Sequence, residues 1–425
     1  MIDIKVFREN PDLIRDSEKK RFKDSARVDK VIDLDLRWRA FLQQINDLRK
    51  ERNQISRDIG IKKKKKEDTS ILQEKVKEIN LKISELETDA NEKLIERDKI
   101  RYSIGNILLP GVPIAKTEDG DETIKSWGRK TKFNFQPKGH TELIELLQLA
   151  ELEKSSEISG SRTFYLKKDL VYLNLALIRY AVDFLTSKRG FIPYWTPPFM
   201  RRKAMEGASE LSDFEETLYS DTKEDVFFIA TSEQTLAALH MNELIDVDTL
   251  PRKYCGISQC YRREAGSHGK DTKGIFRVHH FHKVEQFVFC KPDESEMFHE
   301  ELIANAEELF KGLKIPYRIV NIASGELNDN AAKKYDLETW FPAQGTYREV
   351  VSCSNVTEYQ AQKLNITFGK EGGTKEFVHT LNSTAIASER TICAILENFQ
   401  QEDGSVIIPK ILRPYLNGQE KITPP

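Results

Sequence analysis

The sequence predicts an α+β protein made of an N-terminal antiparallel helical coiled-coil arm and a mixed α+β body. Three observations support this fold class: heptad-like apolar spacing over residues 31–90, a linker rich in proline and glycine after it, and alternating strand-like and helical runs from there to the C-terminus. The chain has 425 residues. At roughly 100–200 residues per domain, this length corresponds to two or three domains.

The arm is predicted from two stretches in which apolar residues recur in steps of three and four. The first stretch has one polar break, at Arg52. Its apolar residues are Leu34, Trp38, Phe41, Ile45, Leu48, Ile55 and Ile59, and those of the second stretch are Leu72, Val76, Ile79, Ile83, Leu86 and Ala90. Gly60 and the lysine run Lys62–Lys66 separate the stretches, and neither contains a proline. This spacing predicts two helices folded back on each other, each about 45 Å long at roughly 1.5 Å per residue.

The connection between the two predicted helices is strongly basic. Residues 49–66 hold nine lysines and arginines against the two acidic residues Glu51 and Asp58. One interpretation is a solvated hairpin tip. The other is a surface that follows the phosphates of double-stranded RNA, which proteins recognise by backbone shape more than by base identity. The arm alone does not decide between them.

Composition and charge limit the classes of protein to which this chain can belong. Its net charge of −2 does not indicate a nucleic-acid binder, so any such site must be a local patch. The cysteines contain no C-x-x-C pair and predict free thiols in a reducing compartment. They are Cys255, Cys260, Cys290, Cys353 and Cys393. The start, MIDIKVFREN, has no apolar signal core, and no run of roughly 18 apolar residues occurs. We therefore expect a soluble, cytoplasmic protein with no membrane partner.

A linker is predicted between the arm and the body. The segment from Tyr102 to Gly128 is rich in proline, glycine and charged turn residues, which is typical of a linker. We place the domain boundary within it, so that residues 1–112 form the arm domain and residues 113–425 form the second domain. An apolar helix is predicted over Leu170–Leu185, followed by the segment Phe191–Pro198.

The segment from Tyr254 to Phe289 predicts a β-hairpin with a long connection. Two β-rich runs, YCGISQCYRRE and IFRVHHFHKVEQFVF, flank the basic, turn-rich loop Ala265–Gly274. Side chains alternate between the faces of a strand, so Arg262 and Glu264 are predicted to share one face of the first strand. The residues predicted to share one face of the second strand are Arg277, His279, Phe281, Lys283 and Glu285.

This face of the hairpin combines arginines, carboxylates and one aromatic ring, a set that is costly to bury without a charged ligand. An arginine can bind a phosphate through two N–H groups, a ring can stack on a base, and a carboxylate can accept from an amine. An exposed ladder of cross-strand ion pairs would give the same pattern. A metal site at His279, His280 and His282 is not expected, because alternation divides these histidines between two faces and no cysteine or carboxylate lies at zinc-ligand spacing.

The segment Tyr347–Asn355 places a carboxylate and a hydroxyl three residues apart, at Glu349 and Ser352. Oxygen ligands of this kind could hold a magnesium ion that bridges phosphates. A strand edge with polar ends would contain the same residues. The segment therefore indicates a candidate site without deciding its chemistry.

A strand followed by a helix is predicted near the C-terminus. The strand covers Phe377–Leu381, and the plausible helix caps after it are Asn382, Ser383 and Thr384. The apolar face of the helix is formed by Ile392, Ile395, Leu396 and Phe399. The small residues Ala385, Ala387 and Ser388 are expected in its first turns, where they leave room for a ligand. Arg390 is then expected about two turns into the helix.

Taken in order, these segments resemble the three motifs of class II aminoacyl-tRNA synthetases. The helix and the strand Trp195–Pro198 resemble the first motif, which in this class builds the dimer interface, while Arg262–Glu264 and Arg390 match the second and third motifs. Within the class, the chain resembles the seryl-tRNA synthetase family over nearly its whole length. The matching segments are Thr231-Ser232-Glu233, CYRREAGSHGKDTKGIFRVHHFHKVEQF, REVVSCSN and VHTLNSTAIASER, together with the coiled coil. Val351 and the run Ala385–Arg390 are closer to archaeal or eukaryotic members than to bacterial ones.

The resemblance implies a role for each matching residue and an antiparallel sheet in the catalytic domain. Arg262 would bind the α-phosphate of ATP and the serine carboxylate, and Glu264 would accept from the exocyclic amine of adenine. Phe281 would stack on adenine, with Arg390 on the other side and near the γ-phosphate of a bent ATP. Arg277 would contact the terminal phosphates. Arg262 and Arg390 would thus be the catalytic residues.

Further residues are assigned to the two substrates by the same resemblance. The ATP site would also contain Val278, His279, His280, Glu349, Val350, Val351 and Ser352, of which Glu349 and Ser352 would hold magnesium. The serine amine and hydroxyl would be surrounded by Thr231, Glu233, Glu285 and Thr384. The implied cofactors are ATP and Mg²⁺, without zinc.

The implied activity is that of a serine–tRNA ligase. Such an enzyme activates L-serine with ATP to seryl-adenylate and transfers serine to the 3′-terminal adenosine of tRNA(Ser), with tRNA(Sec) as a further candidate acceptor. The resemblance also implies a homodimer. The alternatives are a catalytically silent paralogue that acts as an RNA-binding scaffold, a ligase that loads carrier proteins, and the zinc-dependent form of the seryl enzyme. The last two would be expected to carry zinc ligands, which this sequence lacks at suitable spacing.

Overall fold

The computed structural model describes residues 1–210, 217–264, 271 and 273–425. These residues form two compact units, one of residues 2–107 and one of residues 108–425 together with Met1. The first unit is helical, and the second is built on a mainly antiparallel sheet. The predicted α+β class with a coiled-coil arm is therefore confirmed.

Four helices are described in the N-terminal unit: α1 (Ile4–Glu9), α2 (Pro11–Lys20), α3 (Ala26–Lys64) and α4 (Ser70–Tyr102). The helices α3 and α4 run antiparallel, since Arg49 pairs with Glu87 at 2.7 Å and Glu51 pairs with Lys75 at 2.8 Å. Their buried seam contains residues that the apolar spacing predicted, namely Ile45, Ile55, Ile79, Ile83 and Ala90. Heptad spacing places such residues along one face of each helix, where they pack against the other helix.

The turn of the arm lies further along the chain than predicted. Helix α3 continues through Gly60 to Lys64, and residues 65–69 connect it to α4. A glycine inside a helix costs about 1 kcal/mol relative to alanine, and the lysines that follow have good helix propensity. The 39 residues of α3 give it a length of about 58 Å, so the arm is longer than the predicted value of about 45 Å.

The second unit is organised around one large sheet. The described strands are β1 (Glu122–Trp127), β2 (Ala150–Glu151), β3 (Tyr165–Leu166), β4 (Ile192–Trp195), β5 (Phe199–Arg201), β6 (Ser220–Asp221), β7 (Val226–Phe228), β8 (Leu244–Asp246), β9 (Arg252–Tyr261), β10 (His280–Cys290), β11 (Tyr317–Asn321), β12 (Lys333–Phe341), β13 (Thr346–Thr357), β14 (Thr367–Gly369), β15 (Lys375–Phe377), β16 (His379–Ala387), β17 (Val406–Ile407) and β18 (Lys421–Ile422). Eight of them form the sheet in the order β1-β11-β12-β13-β16-β10-β9-β4. Neighbouring strands are antiparallel, except that β4 runs parallel to β9.

Helices cover both faces of this sheet. Those described are α5 (His140–Leu146), α6 (Glu153–Ser159), α7 (Asp169–Arg189), α8 (Arg202–Ala208), α9 (Ser232–Ala238), α10 (Ser295–Leu313), α11 (Tyr359–Leu364) and α12 (Ser388–Phe399). One apolar core joins α7, α10 and α12 to Val284 and Val288 of β10. A second core joins α8, α9 and α11 to Phe287 and Phe289 of the same strand. The even and odd positions of β10 therefore face different helical layers.

By length and composition, α7 is the one helix within the described part of the chain that could cross a membrane. Half of its most apolar stretch is buried inside the protein. Leu170, Leu173 and Leu177 belong to the first apolar core, which is the role expected of a core helix.

The predicted hairpin is present, but its strands are shorter than the β-rich runs. Strands β9 and β10 pair antiparallel from Tyr261↔His280 to Arg252↔Phe289. Arg262 and Glu264 therefore follow the end of β9, and Arg277 precedes β10. In the predicted loop Ala265–Gly274, residues 265–270 and 272 lie outside the described residues.

The prediction for the C-terminal strand and helix was wrong about their boundary. Asn382, Ser383 and Thr384 lie inside β16 and are not helix caps, and the helix α12 begins at Ser388. Strand β16 is central, because it pairs with β10 on one side and β13 on the other. The two ladders satisfy its backbone groups, and this outweighs the local cap preference of Asn, Ser and Thr. Arg390 consequently lies in the first turn of α12 and not two turns in.

The predicted linker also contains regular structure. Its first residue, Tyr102, ends α4, and β1 pairs antiparallel with β11 from Glu122↔Asn321 to Trp127↔Tyr317. The charged turn before this strand includes a 3₁₀ helix, Glu118–Gly120. A short edge strand with an exposed burial pattern gives little apolar alternation, so composition alone indicated a loop.

Candidate active site

A cavity of about 340 Å³ opens on the sheet face that carries the odd positions of β10. It lies between the strand ends of β9, β10, β13 and β16 and the first turns of α9 and α12. The predicted site residues that line it are Thr231, Glu233, Arg262, Glu264, Arg277, Val278, Phe281, Glu285, Glu349, Val350, Ser352, Thr384 and Arg390. Residues far apart in the sequence are therefore brought into one cavity.

Three predicted site residues lie outside this cavity. His279 precedes β10, and its Nδ1 lies 3.0 Å from the carbonyl oxygen of Arg262. The ring of His280 stacks on Phe164 with 4.5 Å between centroids, and Val351 is buried in the first apolar core. His279 therefore does not line the cavity with Phe281, and it precedes the strand in which side chains alternate.

Strand β10 supplies the most deeply buried charges of the cavity. Its residues Phe281, Lys283 and Glu285 line the cavity at alternate positions. The Lys283 Nζ lies 2.6 Å from the Glu285 Oε2, with side-chain exposures of 7% and 2%. The Thr384 hydroxyl on β16 donates to the same carboxylate at 3.4 Å. Burial raises the pKa of Glu285 above its usual range, against the opposing effects of Lys283 and Arg262.

The N-terminus of α9 contributes another side of the cavity. Thr231 is the N-cap residue, and its Oγ1 accepts from the backbone N–H of Glu233 at 3.1 Å. The Glu233 Oε1 accepts from the Gln360 amide at 2.9 Å. The cap thus holds the Thr231 hydroxyl, and Gln360 holds the Glu233 carboxylate, at the cavity wall.

Three arginines line the cavity: Arg262 follows β9, Arg277 precedes β10, and Arg390 lies in α12. The Arg262 guanidinium lies 5.2 Å above the Phe281 ring. The Arg390 guanidinium lies 5.1 Å above the Phe276 ring, and its Nη1 is 3.4 Å from the Glu349 Oε2. These contacts place cationic groups beside aromatic rings, where the ring quadrupole stabilises them.

A further side of the cavity is formed by Glu264 and Arg277, which lie on either side of the predicted loop. Arg277 Nη1 lies 3.1 Å from Glu264 Oε2, so the two residues expected on facing strands do meet. A neighbouring recess shares Phe276, Arg277, Glu349 and Arg390 with the cavity. The Arg277 guanidinium can donate to an anion, and the Glu264 carboxylate beside it can accept from an amine.

Strand β12 carries charges that the sequence did not single out. Lys334 lines the cavity, and its Nζ lies 3.4 Å from the Asp336 Oδ2. Asp336 is the cross-strand partner of Ser352. Burial raises the pKa of Asp336 to about 7, with Lys334 opposing and Glu349 adding to the effect. The position of Lys334 and Asp336 at the cavity depends on the register of β12 against β13. The periodicity of a single strand does not predict that register.

The oxygen atoms of Glu349 and Ser352 lie at the cavity wall and are of the kind that magnesium prefers. Burial raises the pKa of Glu349, but the charges of Arg390, Lys334 and Arg262 outweigh it and hold the pKa below its usual range. Within the described part of the chain, no group of three or more His, Cys, Asp or Glu side chains is placed to hold a metal ion.

The fold and this cavity define a class II aminoacyl-tRNA synthetase. The family model described as tRNA synthetase class II core domain (G, H, P, S and T) matches residues 214–399. The model of the seryl-tRNA synthetase N-terminal domain matches residues 1–108. Together with a serine–tRNA ligase that is 52% identical over 99% of the chain, these matches show that the chain belongs to the seryl-tRNA synthetase family.

Individual relatives agree with this assignment. The chain is 52% identical over 420 residues to the serine–tRNA ligase of Methanosphaera stadtmanae, with 99% of each chain covered. Its structure matches that of seryl-tRNA synthetase from Pyrococcus horikoshii complexed with ATP, at a TM-score of 0.95, 45% identity and 100% coverage of both chains. It also matches the cytoplasmic serine–tRNA ligase of Naegleria fowleri in complex with AMP, at a TM-score of 0.90, 39% identity and coverage of 100% and 99%. The chain is thus a ligase that joins serine to tRNA, and no finding favours a silent paralogue.

Proposed function

We propose that the cavity between Arg262, Phe281 and Glu285 binds serine and ATP together and forms seryl-adenylate. The observation that carries this proposal is the alternation of β10, which aligns a ring, an ammonium and a carboxylate along one wall. Two structural relatives hold ATP or AMP, which supports a nucleotide site in this cavity.

Serine is proposed to bind at the inner end of this wall. The Glu285 carboxylate would accept from the serine ammonium, and Thr384 and Thr231 would contact the hydroxyl and the amine. Glu233 would add a second acceptor for the amine. A buried polar pocket of this kind can reject a substrate that lacks the hydroxyl by about 10⁴–10⁵, because its own groups would be left unpaired.

ATP is proposed to bind along the arginines. Arg262 would contact the α-phosphate and the serine carboxylate, and Arg277 and Arg390 would contact the terminal phosphates. Glu264 would accept from the adenine amine, and Phe281 would stack on its ring. Backbone contacts from Val278 and Val350 at the cavity wall would complete this subsite.

The reaction follows from this placement. A serine carboxylate oxygen attacks the α-phosphorus of ATP, and the bond from that phosphorus to the pyrophosphate oxygen breaks. The arginines stabilise the charge that develops and align the attack, and such positioning can lower the barrier by roughly 7–11 kcal/mol. Glu349 and Ser352 would hold magnesium, which would supply further positive charge to the phosphates. In the second step the 3′-OH of tRNA attacks the carbonyl carbon of serine, and AMP leaves.

The arm is proposed to bind tRNA through its basic turn. Lys62–Lys66 are exposed, and this run contains no acidic residue. Such a concentration of positive charge can bind a phosphate backbone. We propose tRNA(Ser) as the acceptor and include tRNA(Sec) as a candidate second acceptor. Charging assays with each transcript measure the two activities separately.

A homodimer is proposed from an exposed apolar surface next to the edge strand β4. Helix α7 packs beside this strand. The exposed residues are Tyr172 and Leu175 on α7, at 62% and 58%, and Ile192 and Trp195 on β4, at 54% and 81%. Apolar patches of this kind mark protein interfaces. The resemblance of this region to the first class II motif supports a second copy of the chain as the partner, and analytical ultracentrifugation tests this proposal.

We also propose that the protein works in the cytoplasm. All five cysteines are free and buried, as expected in a reducing compartment. Fractionation of cells with an antibody against the chain tests this location.

ATP–pyrophosphate exchange across all twenty amino acids tests the proposed function. We expect exchange to be strongest with serine. Stronger exchange with threonine, alanine or glycine would contradict the proposed serine site, and no exchange with any amino acid would contradict adenylate formation.

A further inference from the structure

Two arginines converge on the carboxylate of Asp271 beside the cavity. The Asp271 Oδ1 accepts from Arg348 Nη1 at 3.1 Å, and its Oδ2 accepts from Arg348 Nη2, so the pair is bidentate. Arg277 Nε lies 3.7 Å from the same Oδ2. The Asp271 side chain is 16% exposed. One partly buried acidic group therefore lies between two arginines.

These arginines belong to the recess that continues the cavity. Arg277, Arg348 and Arg390 line it together with Phe276. The guanidinium groups of Arg348 and Arg390 lie 4.3 and 5.1 Å from the centroid of the Phe276 ring. The recess also carries the carboxylates of Glu118, Glu338 and Glu349, and its three arginines lie next to the proposed phosphate site.

A carboxylate and a phosphate make the same kind of contact with arginine. Both accept two parallel hydrogen bonds from the planar guanidinium group. The Asp271 carboxylate therefore occupies an anion position that a terminal phosphate of ATP, or the pyrophosphate product, would require. Burial opposes its ionisation, but the charges of Arg348 and Arg277 hold the pKa of Asp271 below its usual range.

The described residues that follow Asp271 are held by packing that does not involve this ion pair. A Cβ added to Gly274, which has a φ of +81°, would lie 2.5 Å from the His140 Nε2 and 2.7 Å from the Thr141 Oγ1. The next residues, Ile275 and Phe276, are buried. The chain from Gly274 onward is thus anchored by packing that does not depend on the Asp271 carboxylate.

We propose that the Asp271 carboxylate competes with pyrophosphate for Arg277 and Arg348, so that its return to these arginines promotes pyrophosphate release. This inference rests on the proposed phosphate-binding role of Arg277. Asp271 is a positioning residue in this scheme, because it acts through the arginines and does not contact the reacting atoms.

The variant Asp271→Asn tests the inference. It keeps the size of the side chain and removes the charge that competes with pyrophosphate. We expect the KM for pyrophosphate in the exchange reaction to fall by about tenfold, and inhibition of serine activation by added pyrophosphate to strengthen by a similar factor. The KM for serine should stay unchanged. Asp271→Glu keeps the charge and should remain close to the native enzyme.

A matched control is Asp248→Asn, because Asp248 pairs with the exposed Lys370 away from the cavity. Its KM for pyrophosphate should not change. In an Arg348→Gln background, Asp271→Asn should have a smaller effect than in the native background, because one of the contested arginines is absent.

Two results separate this inference from the proposed function. If Asp271→Asn leaves the KM for pyrophosphate unchanged or raises it, while Arg277→Gln raises it, then competition by Asp271 is refuted and the phosphate role of Arg277 stands. If Arg277→Gln leaves the KM for pyrophosphate unchanged, the proposed phosphate site itself is refuted.

Discussion

Lys283 and Glu285 form a buried ion pair on one face of β10, with 2.6 Å between the Nζ and the Oε2. Neighbouring strands leave both side chains less than 10% exposed. A buried charge pair is strongly sensitive to the loss of either partner, because the remaining charge then has no compensation. In the proposed mechanism, the Glu285 carboxylate also receives the serine ammonium, so two cations share one acceptor.

Replacing Glu285 with glutamine should damage serine use more than ATP use. The change nearly keeps the volume but removes the charge that binds the ammonium. A charge-assisted hydrogen bond contributes roughly 1.5–3 kcal/mol, so serine-dependent exchange should fall by about ten- to a hundredfold. Steady-state exchange kinetics with each substrate varied in turn measure this effect.

Glu301→Gln is the matched control, because Glu301 pairs with Lys253 at 2.7 Å away from the cavity. It should leave both Michaelis constants unchanged. If Glu285→Gln raised the KM for ATP and did not change the KM for serine, the assignment of the two substrates along β10 would be wrong.

Replacing Lys283 with methionine should move the pH dependence of serine activation. Burial raises the pKa of Glu285, and the Lys283 charge opposes this rise. Without that charge the neutral carboxylic acid becomes more favourable, so the pKa of Glu285 rises further. The acidic limb of kcat/KM for serine should then shift to higher pH. Lys253→Met removes a lysine from the neighbouring strand β9 and should leave the profile in place; equal shifts in both variants would refute the role of Lys283.

The alternation of Phe281, Lys283 and Glu285 could be predicted from the sequence, because a strand has a period of two. The contribution of Lys334 could not, since it depends on which strand lies beside β13. The caps predicted at Asn382 and Thr384 were wrong for the same reason: pairing with two neighbouring strands overrides a local preference. Single-strand patterns therefore predicted one wall of the cavity, and the tertiary register supplies the others.

Replacing Glu264 with glutamine should impair the use of ATP more than the use of serine, which is the reverse of the effect expected for Glu285→Gln. Glu264 holds Arg277 at 3.1 Å and is proposed to accept from the adenine amine. The amide can still accept a hydrogen bond, but it no longer pairs with the arginine charge. We expect the KM for ATP to rise by about tenfold, with a smaller change for serine. A larger effect on serine than on ATP would contradict the proposed adenine contact.

Shortening the arm should separate adenylate formation from tRNA charging. Removing residues 46–89 and closing the gap with a short glycine–serine linker would keep the base of the arm, where Asp35 pairs with Arg97 at 2.7 Å. All the cavity residues lie in the unit of residues 108–425. Serine-dependent exchange should therefore stay near the native rate, while tRNA charging should be nearly abolished. Charging at the native rate would show that the arm has another role.

The lysine run tests whether charge at the turn, and not the arm's length alone, binds tRNA. Changing Lys62–Lys66 to glutamine removes five positive charges and keeps residues of good helix propensity. Each phosphate contact that a protein neutralises contributes roughly 0.7–0.9 to the slope of log affinity against log salt concentration. We expect weaker tRNA binding at low salt and a shallower slope, with unchanged exchange activity. The matched control changes the exposed lysines Lys77 and Lys82 of α4 to glutamine, and it should affect the slope less. An unchanged slope in the five-lysine variant would refute phosphate binding by this turn and leave the solvated tip as its interpretation.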